Sequence, residues 1–94
     1  MKITGFIWLD DIVTKIEVKH RVELNEVREL FANQPQYRQV EKGHRPGEHV
    51  YSAVGQTDAG RYLIAFFVYK RNRRALVLSA RDMTRAERRK HERR

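Results

Sequence analysis

The sequence contains no cysteine among its 94 residues. Without thiols the chain can form neither a disulfide framework nor a thiolate zinc site, and it has no cysteine nucleophile. Long hydrophobic runs are also missing: the longest, around Leu63 to Tyr69, is far shorter than the roughly 20 residues that span a membrane. We therefore expect a soluble, cytoplasmic protein with no membrane partner.

Motifs for metal, serine or nucleotide chemistry are equally scarce. No two histidines stand at helical i, i+4 spacing, and no HExxH motif is present. Carboxylates cluster only as Asp10-Asp11, a pair that more often caps a helix than binds Mg²⁺. Neither serine lies in a GxSxG motif, and a P-loop is absent. The sequence therefore predicts no metal site and no cofactor.

Positive charge is what the sequence has in excess. Lysine and arginine number 20 against 12 acidic residues, which gives a formal net charge of +8. Such a charge opposes folding by self-repulsion, but it raises the affinity and association rate for phosphate-rich partners. Charge alone leaves open a nucleic acid, a ribonucleoprotein, an anionic membrane, an acidic protein or simple solubility. Among these we favour RNA.

The pattern of apolar residues predicts one domain, residues 1–94, of α+β class. Lys2 to Leu9 reads as a strand, Asp10 or Asp11 can cap a first helix that ends near Lys19-His20, and a second helix covers Leu24 to Ala32. Strands are then predicted over Tyr37–Val40, from His49, over Tyr62–Tyr69 and over Ala75–Ala80. The order β-α-α-β-β-β-β-α indicates an antiparallel meander with two helices packed on one face. We expect the Tyr62–Tyr69 strand to be central and buried on both faces.

The last stretch, Thr84 to Arg94, is predicted to be a basic C-terminal helix or tail. Thr84 and Glu87 have the spacing of a capping box, in which each side chain bonds the other residue's backbone N–H. The remainder is almost entirely charged, so this helix should barely pack on the core.

The remaining cations, imidazoles and tyrosines suit the metal-free cleavage of RNA. In that reaction the 2′-hydroxyl attacks the adjacent phosphate, so a base, an acid and fixed cations are needed. Histidine, with a pKa of about 6.5, can serve either proton role, and arginine binds phosphate oxygens in a bidentate manner. Because DNA lacks the 2′-hydroxyl, such a site would be selective for RNA.

Eight side chains are candidates for this chemistry. The catalytic candidates are Lys19, His20, Tyr51 and Arg81, and the candidate RNA contacts are Arg61, Glu87, Arg88 and Arg89. Structural alternatives stand beside them: Lys19 and His20 can complement a helix dipole, Tyr51 can pack in the core, and Glu87 can cap a helix.

Several motifs resemble the BrnT-type toxins, which are RelE-like ribonucleases of bacterial type II toxin–antitoxin pairs. The run at 78–83 followed by 87–89 is similar to the family's C-terminal ending. Residues 6–8 and 19–22 are similar to its tryptophan and lysine–histidine elements, and residues 47–57 resemble its middle strand. The likeness spans most of the chain.

The resemblance implies a RelE-like fold and a metal-independent endoribonuclease toxin that cleaves RNA and inhibits translation. It also implies a cognate, BrnA-like antitoxin encoded nearby, through which oligomers could form. The family pattern places functional weight on Lys19, His20, Tyr51 and Arg81, and less on Glu87 and Arg88. We expect these four side chains, Lys19, His20, Tyr51 and Arg81, to converge in one groove of the folded sheet. Arg81 and Lys19 would bind the scissile phosphate there, with the proton roles of His20 and Tyr51 unassigned.

Three positions depart from the family pattern. Val50 stands where the family usually has arginine, Arg21 where it often has glycine, and His91 where a tyrosine is common. The substitution at Val50 motivates a second hypothesis, a non-catalytic RNA- or ribosome-binding module of the same fold with a degenerate site. A third hypothesis is that the basic surface serves mainly to grip an acidic protein.

Overall fold

A computed structural model describes residues 1–45 and 47–93. Pro46, in the predicted polar loop, and Arg94, the end of the predicted last helix, lie outside the described residues. The elements follow the predicted order: β1 (Gly5–Ile7), α1 (Asp10–Lys19), α2 (Leu24–Ala32), β2 (Gln36–Glu41), β3 (Val50–Gln56), β4 (Tyr62–Tyr69), β5 (Arg74–Asp82) and α3 (Arg85–Glu92).

The five strands form one sheet in the order β1-β5-β4-β3-β2. Strands β2 to β5 are antiparallel neighbours, which confirms the predicted meander. Strand β1 pairs with β5 in parallel, with Phe6 opposite Ala75. Because β1 and β2 lie at opposite edges, α1 and α2 carry the chain across one face of the sheet between them.

The core lies between this pair of helices and the sheet face that they cover. Ile16 of α1 and Leu30 of α2 are fully buried, as are Leu63 and Phe67 of β4 and Val77 of β5. Burying one such side chain stabilises the fold by about 1.5–3 kcal/mol. Apolar residues spaced three or four apart give each helix one apolar face, and this face packs on the alternate strand residues that point towards it.

The opposite face of the sheet is only partly covered. Strand β4 is central, as predicted, but the prediction that both its faces are buried is wrong. On the second face Ile64 is buried, whereas Phe66 and Val68 are half-buried. The apolar residues of this face therefore form a surface that a ligand can reach.

The prediction that Asp10 or Asp11 caps α1 is wrong, because the helix already begins at Asp10. Its N-cap is Leu9, which makes no side-chain cap bond, and both Asp10 and Asp11 lie in the first turn. There the two carboxylates complement the positive end of the helix dipole instead of capping the helix. Among the described residues, no helix has the length and apolar composition needed to cross a bilayer.

Candidate functional site

A groove of about 480 Å³ lies between α3 and the partly covered face of the sheet. Its floor is apolar and is formed by Val54, Ile64 and Phe66. Strand alternation brings the side chains of neighbouring strands to this same face. The polar residues along its walls are Gln36, Arg38, Ser52, Glu87, Lys90 and His91.

Arg81 lies beside the groove, on the same sheet face, at the end of β5. It lies opposite Ile64 in the strand register, and its guanidinium carbon is 5.6 Å from the centroid of the Phe66 ring. Arg81 Nη1 and Nη2 donate hydrogen bonds of 2.8 and 3.1 Å to the two carboxylate oxygens of Glu87. The hydrogen bond from Arg81 lowers the pKa of Glu87 to about 2, although partial burial opposes the shift.

None of the described residues of α3 is buried, so the helix has no apolar side chain in the core. Hydrogen bonds, an ion pair and a cation–π contact attach it to the sheet. The predicted capping box is confirmed: the Glu87 N–H donates to the Thr84 hydroxyl at 3.1 Å, and the Thr84 N–H donates to Glu87 Oε1 at 2.8 Å. The Arg88 guanidinium carbon lies 4.0 Å from the centroid of the Tyr62 ring, a cation–π contact. Arg89, also on α3, is exposed.

His91 is a half-buried imidazole in the wall of the groove, where its ring meets the edge of the Tyr62 ring. Its Nδ1 atom is buried and has no hydrogen-bond partner within residues 1–45 and 47–93. Sequence reasoning did not select His91, Lys90 or Arg38 as site residues. A usable signal existed, since Lys90 and His91 follow Glu87 at i+3 and i+4 and so share its helix face.

Lys19 and His20 close α1 at the same end of the sheet as Arg81, but on the side that carries the helices. Partial burial lowers the pKa of His20, as do the charges of Lys19, Lys15 and Arg81, while Asp82 opposes them. The charge of Arg81 thus acts on His20 around the end of β5, although the two side chains belong to different faces.

Arg61 forms a clamp between three parts of the chain. Its Nε and Nη2 donate to the carboxylate of Asp82 at 2.7 and 3.2 Å, and its Nη1 donates to Glu26 at 2.9 Å. The backbone carbonyls of Arg21 and His20 accept further bonds of 2.9 and 3.3 Å. Every guanidinium nitrogen is therefore engaged, and one cation faces two carboxylates.

Tyr51 lies on the sheet face that carries the helices. Its ring stacks on Phe67 at 5.9 Å between centroids and meets the edge of Tyr69 at 6.4 Å. Tyr51 pairs with Phe67, three residues along β4 from the Ile64 partner of Arg81. Lys19, His20 and Tyr51 thus lie on the helix-bearing side and Arg81 beside the groove of the other face, contrary to the expectation that the four catalytic candidates converge in one groove.

No group of three or more histidine or acidic side chains in the described ranges is arranged to bind a metal ion. The described residues that line the groove include two cations, Arg38 and Lys90, one carboxylate, Glu87, and one imidazole, His91. Arginine and lysine can bind a phosphodiester there, and the imidazole can exchange a proton.

Comparison with known proteins identifies the class of protein: the ribonuclease toxins of type II toxin–antitoxin systems. The family model described as "Ribonuclease toxin, BrnT, of type II toxin-antitoxin system" matches residues 12–87, most of the chain. The chain therefore belongs to the BrnT family, which implies an RNA substrate and a cognate antitoxin protein. Lys90 and His91 lie beyond the matched residues. No curated protein matches the sequence.

Proposed function

We propose that the chain cleaves RNA in the groove beneath α3, without a metal ion, by attack of a 2′-hydroxyl on the adjacent phosphate. The bond from the 2′-oxygen to phosphorus forms, and the bond from phosphorus to the 5′-oxygen breaks. The 2′-hydroxyl proton passes to a base, and an acid protonates the leaving 5′-oxygen. The products are a 2′,3′-cyclic phosphate and a free 5′-hydroxyl.

Arg81 is the proposed phosphate-binding residue, and its placement is the observation that carries the proposal. Its guanidinium lies at the edge of the groove, in contact with two lining residues: the Phe66 ring and the Glu87 carboxylate, which fixes its orientation. Arg38 and Lys90 add two further cations, against the single carboxylate of Glu87. This excess of positive charge favours a phosphodiester and the additional charge that develops on it during cleavage.

His91 is the proposed proton-transfer residue of the groove. It is the one imidazole among the described groove residues, and an imidazole can exchange a proton near neutral pH. The roles predicted for Lys19 and His20 require the RNA to pass around the end of β5 to reach them. The catalytic role predicted for Tyr51 requires access to the helix-bearing face.

Cleavage of messenger RNA by this groove would stop translation, which is the proposed basis of toxicity. The antitoxin that the family implies would relieve it by binding the toxin, and we propose that it is BrnA-like. We propose that both act in the cytoplasm.

A non-catalytic RNA-binding module is the second candidate function, and Val50 favours it. Val50 shares a face with Ser52 and Val54 and pairs with Val68, so an apolar side chain stands at this position on the groove side. Valine in place of the family's usual arginine removes one cation from this face and so weakens phosphate binding. Arg38, which pairs with the neighbouring Ser52, would have to supply the missing charge. RNA binding without cleavage would identify this module.

The test is cleavage of a synthetic RNA by the purified chain in the presence of EDTA. We expect the wild type to cleave, and Arg81→Gln to slow cleavage by about 100-fold, the typical loss when one charge-stabilising donor is removed. His91→Gln should also slow it. Arg85→Gln, an exposed site on the same helix, is the matched control and should cleave like the wild type. Wild-type rates in Arg81→Gln, or RNA left intact by the wild type, would contradict the proposal.

A further inference from the structure

A cluster of cations lies at the end of the sheet opposite to α3. It consists of Arg45, from the β2–β3 connection, and of Lys70, Arg71, Arg73 and Arg74, from the tight turn between β4 and β5. We call these five residues the hairpin patch. Arg45, Lys70 and Arg71 line one concave surface of about 450 Å³ together with Gly47, Glu48 and Asn72.

The turn that carries the patch is fixed by its own hydrogen bonds. The Lys70 N–H donates to the Arg74 carbonyl, and the Arg73 N–H donates to the Lys70 carbonyl, both at 2.9 Å. The Asn72 side chain accepts the Arg74 N–H at 3.1 Å. Arg71 also approaches Gly47 so closely that a Cβ there would lie 3.0 Å from Arg71 Cγ. The cations therefore project from an ordered turn.

The cations of the hairpin patch are not held in ion pairs by the described part of the chain. None of the five forms an ion pair with a described residue, whereas the ion pairs of the fold involve Arg61, Arg81 and Arg88 near its other end. Glu48 is the one carboxylate among the described residues of the concave surface. Five neighbouring positive charges repel one another. An anionic ligand bound among them would reduce this electrostatic repulsion.

We propose that the hairpin patch binds the phosphate backbone of single-stranded RNA that extends from the groove. The inference rests on the proposed function for its choice of RNA. Among the described residues that line the surface, all but Gly47 are polar or charged, and this high share of charged side chains favours RNA over an acidic protein. Strand β4 runs from the groove to the hairpin patch: Lys70, just after its end, is the sixth residue after Ile64, which lies opposite Arg81. At strand spacing that is about 20 Å.

The test is the salt dependence of binding to a single-stranded 2′-O-methyl RNA oligonucleotide, which the proposed chemistry cannot cleave. Each phosphate contact to a single strand contributes about 0.7 to the slope of log affinity against log salt. We expect the double variant Arg71→Gln/Arg73→Gln to lower the slope by about 1.4 and to bind several-fold more weakly. The control, Lys15→Gln/Arg28→Gln, removes the same charge from exposed helix positions and should leave the slope near the wild-type value.

An unchanged slope in the hairpin-patch variant, or an equal decrease in the control, would overturn the inference. So would a loss of binding to polyglutamate with RNA binding unaltered, because the patch would then select acidic protein. The two proposals fail separately. If no RNA is cleaved but the slope falls as expected, the ribonuclease proposal fails and the patch stands. If Arg81→Gln abolishes cleavage while the hairpin-patch variant binds RNA with the wild-type slope, the inference about the patch fails and the ribonuclease proposal stands.

Discussion

Arg81 and Glu87 form a bidentate ion pair, with hydrogen bonds of 2.8 and 3.1 Å, that joins the last strand to the last helix. The same carboxylate also accepts the Thr84 N–H and so starts α3. The Glu87 side chain thus caps the helix, attaches it to the sheet and orients the Arg81 guanidinium at the edge of the groove. Stability and RNA binding should therefore respond to Glu87 in different ways.

Replacing Glu87 by glutamine should destabilise the fold in a pH-dependent manner. Glutamine can still close a capping box, so the change chiefly removes the charge. We expect the free energy of unfolding at neutral pH to fall by about 1.5 kcal/mol, the low end of the range for a hydrogen bond to a charged group, because 31% of each side chain is exposed. Because the pKa of Glu87 lies below its ordinary 4.5, at about 2, its stabilisation is complete above pH 4.5 and is lost as the pH falls through 2.

Urea unfolding at a series of pH values measures this difference. The gap between wild type and Glu87→Gln should narrow below pH 4.5 and close near pH 2. Glu17→Gln, at an exposed site on α1, is the control and should alter the unfolding free energy by no more than about 0.5 kcal/mol. A gap that stays constant across this pH range would show that the ion pair does not carry the stabilisation.

The same Glu87→Gln substitution should strengthen RNA binding while it weakens the fold. Glu87 competes with a phosphate for Arg81 and is the one carboxylate among the described groove residues. Removing its charge should increase the affinity for a non-cleavable RNA, measured by fluorescence anisotropy at temperatures where both proteins are folded. Weaker binding by Glu87→Gln would mean that the orientation of Arg81 matters more than this competition.

Arg61→Met should cost stability without affecting RNA affinity. It leaves Glu26 and Asp82 facing each other without their shared cation. We expect a loss of about 2 kcal/mol, below the range for fully buried pairs, because 27% of the Arg61 side chain is exposed. Adding Glu26→Gln and Asp82→Asn should restore part of it. Weaker RNA binding with unchanged stability would instead support the RNA contact predicted from the sequence.

Tyr51→Phe should cleave RNA at the wild-type rate. The ring packs on Phe67 and Tyr69 on the helix-bearing face, and phenylalanine keeps that packing. Tyr51→Ala, which also removes the ring, should lower the unfolding free energy by about 3 kcal/mol. Slower cleavage by a stably folded Tyr51→Phe variant would show that RNA reaches the helix-bearing face.

The sequence predicts the elements because their signals are local. Helix α2 was predicted over its observed span, and Thr84 with Glu87 form the capping box that their spacing indicates. These patterns depend on contacts within one turn or one strand. The N-cap of α1 was harder to predict, because aspartate at positions 10 and 11 is as favourable in the first turn of a helix as it is at the cap.

The candidate site was harder to predict because it depends on which strand faces reach the same groove. Arg81 was selected because it ends the last strand where a helix follows, and the family resemblance also indicates it. Nothing local shows that Tyr51 lies on the face opposite to Arg81. That result follows from the register between β3, β4 and β5, including the bulge near Phe66 and Phe67. Likewise, Arg61 looks like a free strand-end cation in the sequence, and only the fold brings Glu26 and Asp82 to it.

Cleavage of an RNA that carries one 2′-deoxynucleotide at the mapped cleavage position tests the central claim most directly. With EDTA present, we expect the all-ribose RNA to yield a 2′,3′-cyclic phosphate and a 5′-hydroxyl, and the substituted RNA to remain intact at that position. Cleavage of the substituted RNA at an equal rate, or products that end in 5′-phosphate, would contradict attack by the 2′-hydroxyl.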